Sequence, residues 1–253
     1  MIGILKNLRK NLFKGNKVSR YLLYALGEII LIVLGILLAL GINNWSEDTK
    51  LVNKEQFYLS GLKDEFETSK ARLEVLIDVN RSNYQNAEAI ANFISSQNVP
   101  EEAELSMLLY KAFSYDVVYN PNNALLDEIL NSGGFKTISN PELRKHLTSW
   151  QSRVQRINSQ ERALIGERDN VINVFRKEGS IRTVFIKAGI SEEINLSSSG
   201  DLLSNSVILS SKEFENNLLL FILTSVSTEK HHYIPLMEEI DKILKLIESD
   251  LKR

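Results

Sequence analysis

The chain has 253 residues, 25% charged and 43% hydrophobic, a composition that excludes a disordered polymer and leaves room for one domain plus an anchor. It contains no cysteine, which excludes disulfides, thiolate nucleophiles, cysteine zinc sites and cysteine lipidation. The formal net charge of −2 conceals a division: residues 1–20 hold six basic residues and no acid, whereas residues 43–253 hold 24 basic residues against 31 acids.

The six bases of the tail are Lys6, Arg9, Lys10, Lys14, Lys17 and Arg20. Directly after them comes “YLLYALGEIILIVLGILLALGINNW”, residues 21–45, with Glu28 as the only charge in its apolar core. Tyr21 to Ile42 as helix measures about 33 Å at 1.5 Å per residue, enough to cross a bilayer. Positive-inside bias puts the tail in the cytoplasm, where it would meet anionic lipid headgroups, and residues 43 onward outside. Tyr21, Tyr24 and Trp45 lie where interfacial aromatic belts form. A cleaved signal peptide is the competing reading, with Ala39-Leu40-Gly41 as a small-x-small site. The apolar run is too long for a signal core and Glu28 interrupts it, so the expectation is a retained anchor. Downstream, “NNLLLFILTSVS” is too short to span, so the chain is expected to cross once.

Glu28 is the anomaly of the span. A carboxyl at that depth costs about 2.5–3.5 kcal/mol on insertion scales. On a helix wheel it shares a face with Leu31, Gly35 and Ala39, and Gly35 with Ala39 forms a small-xxx-small pair that lets another helix come close. The expectation is a transmembrane helix–helix interface through Glu28, Leu31, Gly35 and Ala39. Starting the span after Glu28 would leave Ile29 to Ile42, about 21 Å, too short to cross comfortably.

Residues 46–97 repeat apolar residues at helical spacing: Leu59, Leu62, Phe66, Leu73, Leu76, Tyr84, Ala87, Ile90, Ile94. The gaps are threes and fours, with one seven and one eight, as in a coiled-coil-like stalk. Asn98 to Pro100 ends this helix, and a short one follows through Phe113. “YNPNNALLDEILNSGGF” reads as a turn, a short helix and a glycine stop. “SNPELRKHL” is a helix start, with Asn140 as N-cap, Pro141 first and Glu142 in the first turn. The seam then runs Leu143, Leu147, Trp150, Val154, Ile157, Leu164, Val171, Phe175, and Gly179 closes it. Residues 180–210 are the least regular. From about Ser211 a last long helix carries an apolar stripe to Leu251, with Pro235 expected to kink or interrupt it. “DVVY” and “RTVFI” are weak, isolated strand signals. The expected fold is all-α: a single N-terminal transmembrane helix (21–42) after a basic cytoplasmic tail (1–20), continuing into an extracytoplasmic antiparallel bundle (43–253) of three long helices and smaller ones.

Two stretches carry a resemblance. “SRYLLYALGEIILIVLGILLALGINNW” resembles the N-terminal signature of a family of small, uncharacterised single-pass membrane proteins from flavobacteria and relatives (Bacteroidota). “NPNNALLDEILNSGGFKTISNPELRKHL” resembles that family's second signature, with Gly133-Gly134 in place of a single glycine. The resemblance implies location and architecture; it implies no catalytic residue.

No motif points to catalysis, and no cofactor or metal is expected. “SGGFKT”, 132–137, has Phe135 between Gly134 and Lys136 and follows a helix, so it reads as a helix-terminal turn rather than a phosphate loop. His146, His231 and His232 lack the clustering of a metal site, and His231 and His232 point about 100° apart on a helix. The acidic body argues against nucleic acid. Glu161 and Arg168 fall in register with the apolar seam, two turns apart. Either the helix rotates there and exposes them, or they form a buried polar layer fixing register, or they line a ligand pocket. The functional expectation is a membrane-anchored helical interaction or scaffold module in a bacterial cytoplasmic membrane, not an enzyme, whose partner is another membrane protein or itself. The alternatives are a small-molecule sensing domain, or an accessory subunit of an ion-coupled complex using Glu28.

Overall fold

The computed structural model describes residues 17–197 and 201–252, and among them every regular element is helical. Seven α-helices follow in order: α1 (Lys17–Ser96), α2 (Glu102–Phe113), α3 (Ala124–Asn131), α4 (Pro141–Glu178), α5 (Ile181–Lys187), α6 (Lys212–Thr228) and α7 (Ile234–Leu251). The chain divides into two compact units within α1, residues 1–55 and 56–253.

In the first unit, α1 carries a stretch long and apolar enough to cross a membrane, and none of that stretch is buried. Its leucines and isoleucines all face outward.

In the second unit the same helix buries its stripe. Leu59, Leu62, Phe66, Leu73, Ala87 and Ile90 lie in one core with Leu143, Leu147, Trp150 and Ile157 of α4 and Phe214, Leu218, Ile240, Ile243 and Ile247 of α6 and α7. Phe66 meets Trp150 edge-on at 4.9 Å between ring centres. Gly61, the one glycine in this part of α1, lets the Leu125 side chain lie where a Cβ would sit.

Cross-helix bonds give the direction of each element. Lys63 pairs with Glu248 (3.2 Å), Lys70 with Asp241 (2.7 Å) and Arg81 with Glu229 (2.6 Å), so numbers rising along α1 meet numbers falling along α6–α7. From α4, Asn140 donates to Asp250 (2.8 Å) and Gln160 to Thr228 (3.0 Å), the same antiparallel sense. The long helices α1 and α4 therefore run parallel, and residues 114–137 make the return between them. Along that return Tyr115 is bonded to Asn83, Asn122 to Ser69, and Leu125 to Glu65. The bundle is up-down-up-down, and its second limb is a strap with one short helix.

The local causes are those expected from sequence. The Asn140 side chain accepts from the backbone N–H groups of Glu142 and Leu143, with Pro141 at the first helical position. Gly133 ends the α3 turn at φ +75°, a conformation that costs glycine nothing. “RTVFI” lies in the short helix α5, capped by the Ser180 hydroxyl accepting from Thr183 N–H. The last helical stretch is divided by a π-turn, Glu229–Tyr233. Pro235 has no N–H, and its ring crowds the carbonyl four residues earlier in a regular α-helix. The widened turn precedes it, so α7 begins with the proline in its first turn, where no donor is needed.

Candidate functional site

Two places in the molecule hold chemistry that a helical bundle does not need for helicity: the outward face of α1 and a band of polar side chains inside the second unit.

On α1, Glu28, Leu31, Gly35 and Ala39 are all exposed, and a Cβ at Gly35 would meet nothing within 4 Å. Leu31 is 71% exposed. Of the tail, Lys6, Arg9, Lys10 and Lys14 lie outside the described residues. Lys17 begins the helix, and Arg20 is exposed.

The inner band is organised around the strap. The irregular backbone from Ser114 to Asn123 belongs to no helix or ladder, so its polar groups need side-chain partners wherever they are buried. Arg168 of α4 donates from Nε (2.8 Å) and Nη2 to the Phe113 carbonyl at the end of α2, and from Nη1 it reaches Asp116 (3.0 Å). Asn83 donates to the Tyr115 carbonyl (3.1 Å) and Arg72 to that of Asn120 (2.9 Å). Glu161 accepts from the Tyr119 N–H (2.8 Å), and Ser69 accepts from that of Asn122 (2.9 Å). At the end of the strap the Glu65 carboxylate takes the N–H groups of Leu125 (2.6 Å) and Leu126 (3.2 Å). It caps α3 from another helix. The local cap residue, Asn123, is engaged elsewhere: its side-chain oxygen accepts from the Trp150 indole (2.8 Å).

Glu161 sits at the centre of this band. It is 2% exposed, so α4 does not turn it to solvent. The same oxygen, Oε1, takes a second bond from the Tyr233 hydroxyl (2.8 Å), the last residue of the π-turn. Its Oε2 is buried without a partner among the described residues. Burial pushes the Glu161 carboxyl above the usual carboxylate range, against the lowering effect of the Tyr233 and Tyr119 donors. Burial likewise raises the Tyr233 hydroxyl, reinforced by the Glu161 charge. Glu161 and Arg168 thus have separate partners, both on the strap: one holds Tyr119, the other the Phe113–Asp116 corner.

Another buried carboxylate, Glu239 of α7, joins α4 to α7. His146 Nδ1 lies 2.7 Å from its Oε1, and Arg153 Nε 3.2 Å from the same atom. At regular helical spacing His232 and Glu239 would share a face, two turns apart. The π-turn changes the helix phase between them, and Glu239 turns to α4 instead. Burial, with the nearby charges of His231 and Arg156, lowers the pKa of His232. Among the described residues no cluster of three or more His, Cys, Asp or Glu side chains forms a metal site. “SGGFKT” is the turn after α3, with its Gly134 backbone against the Tyr58 ring.

The sequence contained a signal for two of the buried polar side chains. The two long gaps in the α1 stripe, Phe66 to Leu73 and Leu76 to Tyr84, are filled by Ser69 and Asn80, both buried. Each sits three or four residues from its apolar neighbours, on the core face. Asn80 donates to the Ser225 carbonyl at 3.0 Å.

A family model described as “Family of unknown function (DUF6090)” matches residues 28–161, just over half of the chain. That stretch runs from Glu28 to Glu161 and includes all of the strap. No curated protein and no solved structure matches the chain.

Proposed function

This chain belongs to the DUF6090 family, and we propose that it is a single-pass membrane protein whose helical unit is an interaction module rather than an enzyme. The observation that carries the reading is the unburied apolar stretch of α1, directly preceded by six basic residues. An apolar surface of that size needs a solvent of its own kind, and a bilayer supplies it. The basic flank sets the tail in the cytoplasm and residues 43–253 outside. The resemblance to flavobacterial membrane proteins supports a bacterial cytoplasmic membrane, with a periplasmic helical unit.

The polar interior supports binding over catalysis. Glu65, Glu161 and Arg168, the side chains that a reaction would draw on, are spent on the chain's own backbone. They make the strap rigid, and a rigid scaffold suits a docking surface. The partner is another membrane protein or another copy, reached through the Glu28, Leu31, Gly35 and Ala39 face. The basic tail contacts anionic lipid. Affinity purification of the full-length chain in mild detergent, followed by mass spectrometry, tests the reading. It predicts a stoichiometric companion, or a second copy of the chain. A chain that purifies as a monomer, with a melting point raised by a small molecule, would contradict it.

A further inference from the structure

We propose that α1 pairs in parallel with α1 of a second copy along one continuous seam that starts in the membrane and continues past it. The inference rests on the reading of residues 21–42 as a span, and it adds the partner, the register and the extent of the contact.

At the 3.5-residue repeat of a left-handed helix pair, the span places Glu28, Leu31, Gly35, Leu38 and Ile42 on one line, with Ala39 beside it. The same repeat carried forward gives Trp45, Thr49 and Val52. Trp45 is 73% exposed and Val52 54%. Trp45 lies about 5 Å beyond Ile42 and Val52 about 15 Å beyond it, at 1.5 Å per residue. Headgroups add roughly 5–7 Å on each side of the hydrocarbon, so lipid covers Trp45 but not Val52. An exposed valine on the same line past the lipid is suited to a protein neighbour. Thr49 is the polar member of the outer line, and its hydroxyl is already donated to the Trp45 carbonyl of its own helix (2.8 Å). Its methyl group is left for the seam.

Three features select a second copy. Two single spans in one membrane share direction and depth, so each seam residue meets its own counterpart, and Gly35 opposite Gly35 allows the closest approach. In-register pairing sets Glu28 opposite Glu28, so the pair needs donors, and the Tyr24 hydroxyl one turn away on the same face supplies one from each copy. A two-fold contact satisfies both copies in the same way. Outside the lipid, Asp48 of one helix faces Asn53 of the other across the seam, so no like charges oppose there.

The sequence has no cysteine, so single-cysteine variants of the full chain report contacts without background. In native membranes under mild oxidation, Thr49→Cys and Val52→Cys should form a disulfide-linked band of twice the chain mass. Its yield should be at least ten-fold above that of Glu47→Cys and Lys54→Cys, on the opposite side of the helix. Adding Gly35→Leu to Val52→Cys should remove the band, while the protein still reaches the membrane. Equal yields on both sides, or no linked band, would overturn the seam. A linked band of another mass, to a different protein, would overturn the second copy and leave the interaction-module reading standing. Failure of the span itself would appear separately, in reporter fusions at the C-terminus.

Discussion

The two parts of α1 treat the same kinds of residue in opposite ways. Over residues 20–52 the leucines, isoleucines and valines face outward; from Tyr58 the apolar stripe is buried. The carboxylates of the two units differ in the same manner. Glu28 is exposed among apolar side chains, whereas Glu65 and Glu161 are buried and each accept two hydrogen bonds. A polar group inside a protein is retained when the fold supplies its donors. The second unit supplies them from its own strap, but the first has only a helix surface. Under the proposed function, what completes the first unit comes from outside the chain: lipid for the stripe, and a protein for Glu28.

The sharpest way to break this contrast is to separate the parts. Residues 47–253 should express as a soluble, mainly helical domain without detergent, because their core is complete. The full chain should require detergent. A circular-dichroism spectrum dominated by strand, or a fragment that stays unfolded in buffer, would show that the second unit depends on the first.

Smaller effects follow from the core and its polar band. Trp150→Ala removes a fully buried ring that packs on Phe66 and bonds to Asn123, and should cost about 3–5 kcal/mol in urea titration. A cost under about 1 kcal/mol would mean that α1 and α4 do not share that core. Glu161→Ala strands the Tyr119 N–H and the Tyr233 hydroxyl together, at about 1–3 kcal/mol for each buried group left unpaired.

Glu161→Gln keeps an acceptor oxygen and removes only the titration. The folded carboxyl is raised above its unfolded value, so its contribution is fully present below the unfolded pKa and is lost as pH rises through the folded one. Stability of Glu161→Gln relative to the natural chain should therefore improve from acid toward neutral pH and then level off. Parallel pH profiles for the two proteins would show that burial does not raise this carboxyl.

Much of the fold was legible in the sequence because it rests on local rules. The long apolar N-terminal helix, the end of α1 at Ser96, the Asn140 cap and the Gly179 stop all depend on neighbours within a few residues. The strap was not legible, because its backbone is held by side chains 32 to 61 residues away. Glu161 stood out as a charge in an apolar seam, but nothing local pointed to Tyr119 or Tyr233 as its donors. Ser69 and Asn80 showed only as gaps in the α1 stripe. The π-turn at Glu229–Tyr233 was not legible either, because a fixed 3.6-residue period does not anticipate a widened turn.

The proposed topology is a single membrane crossing, tail inside and helical unit outside. The most direct measurement is a pair of fusions at the C-terminus, one to alkaline phosphatase, which works only outside the cytoplasm, and one to a fluorescent protein that works only within it. The account predicts an active phosphatase and a dark fluorophore. A bright fluorophore with an inactive phosphatase would contradict it.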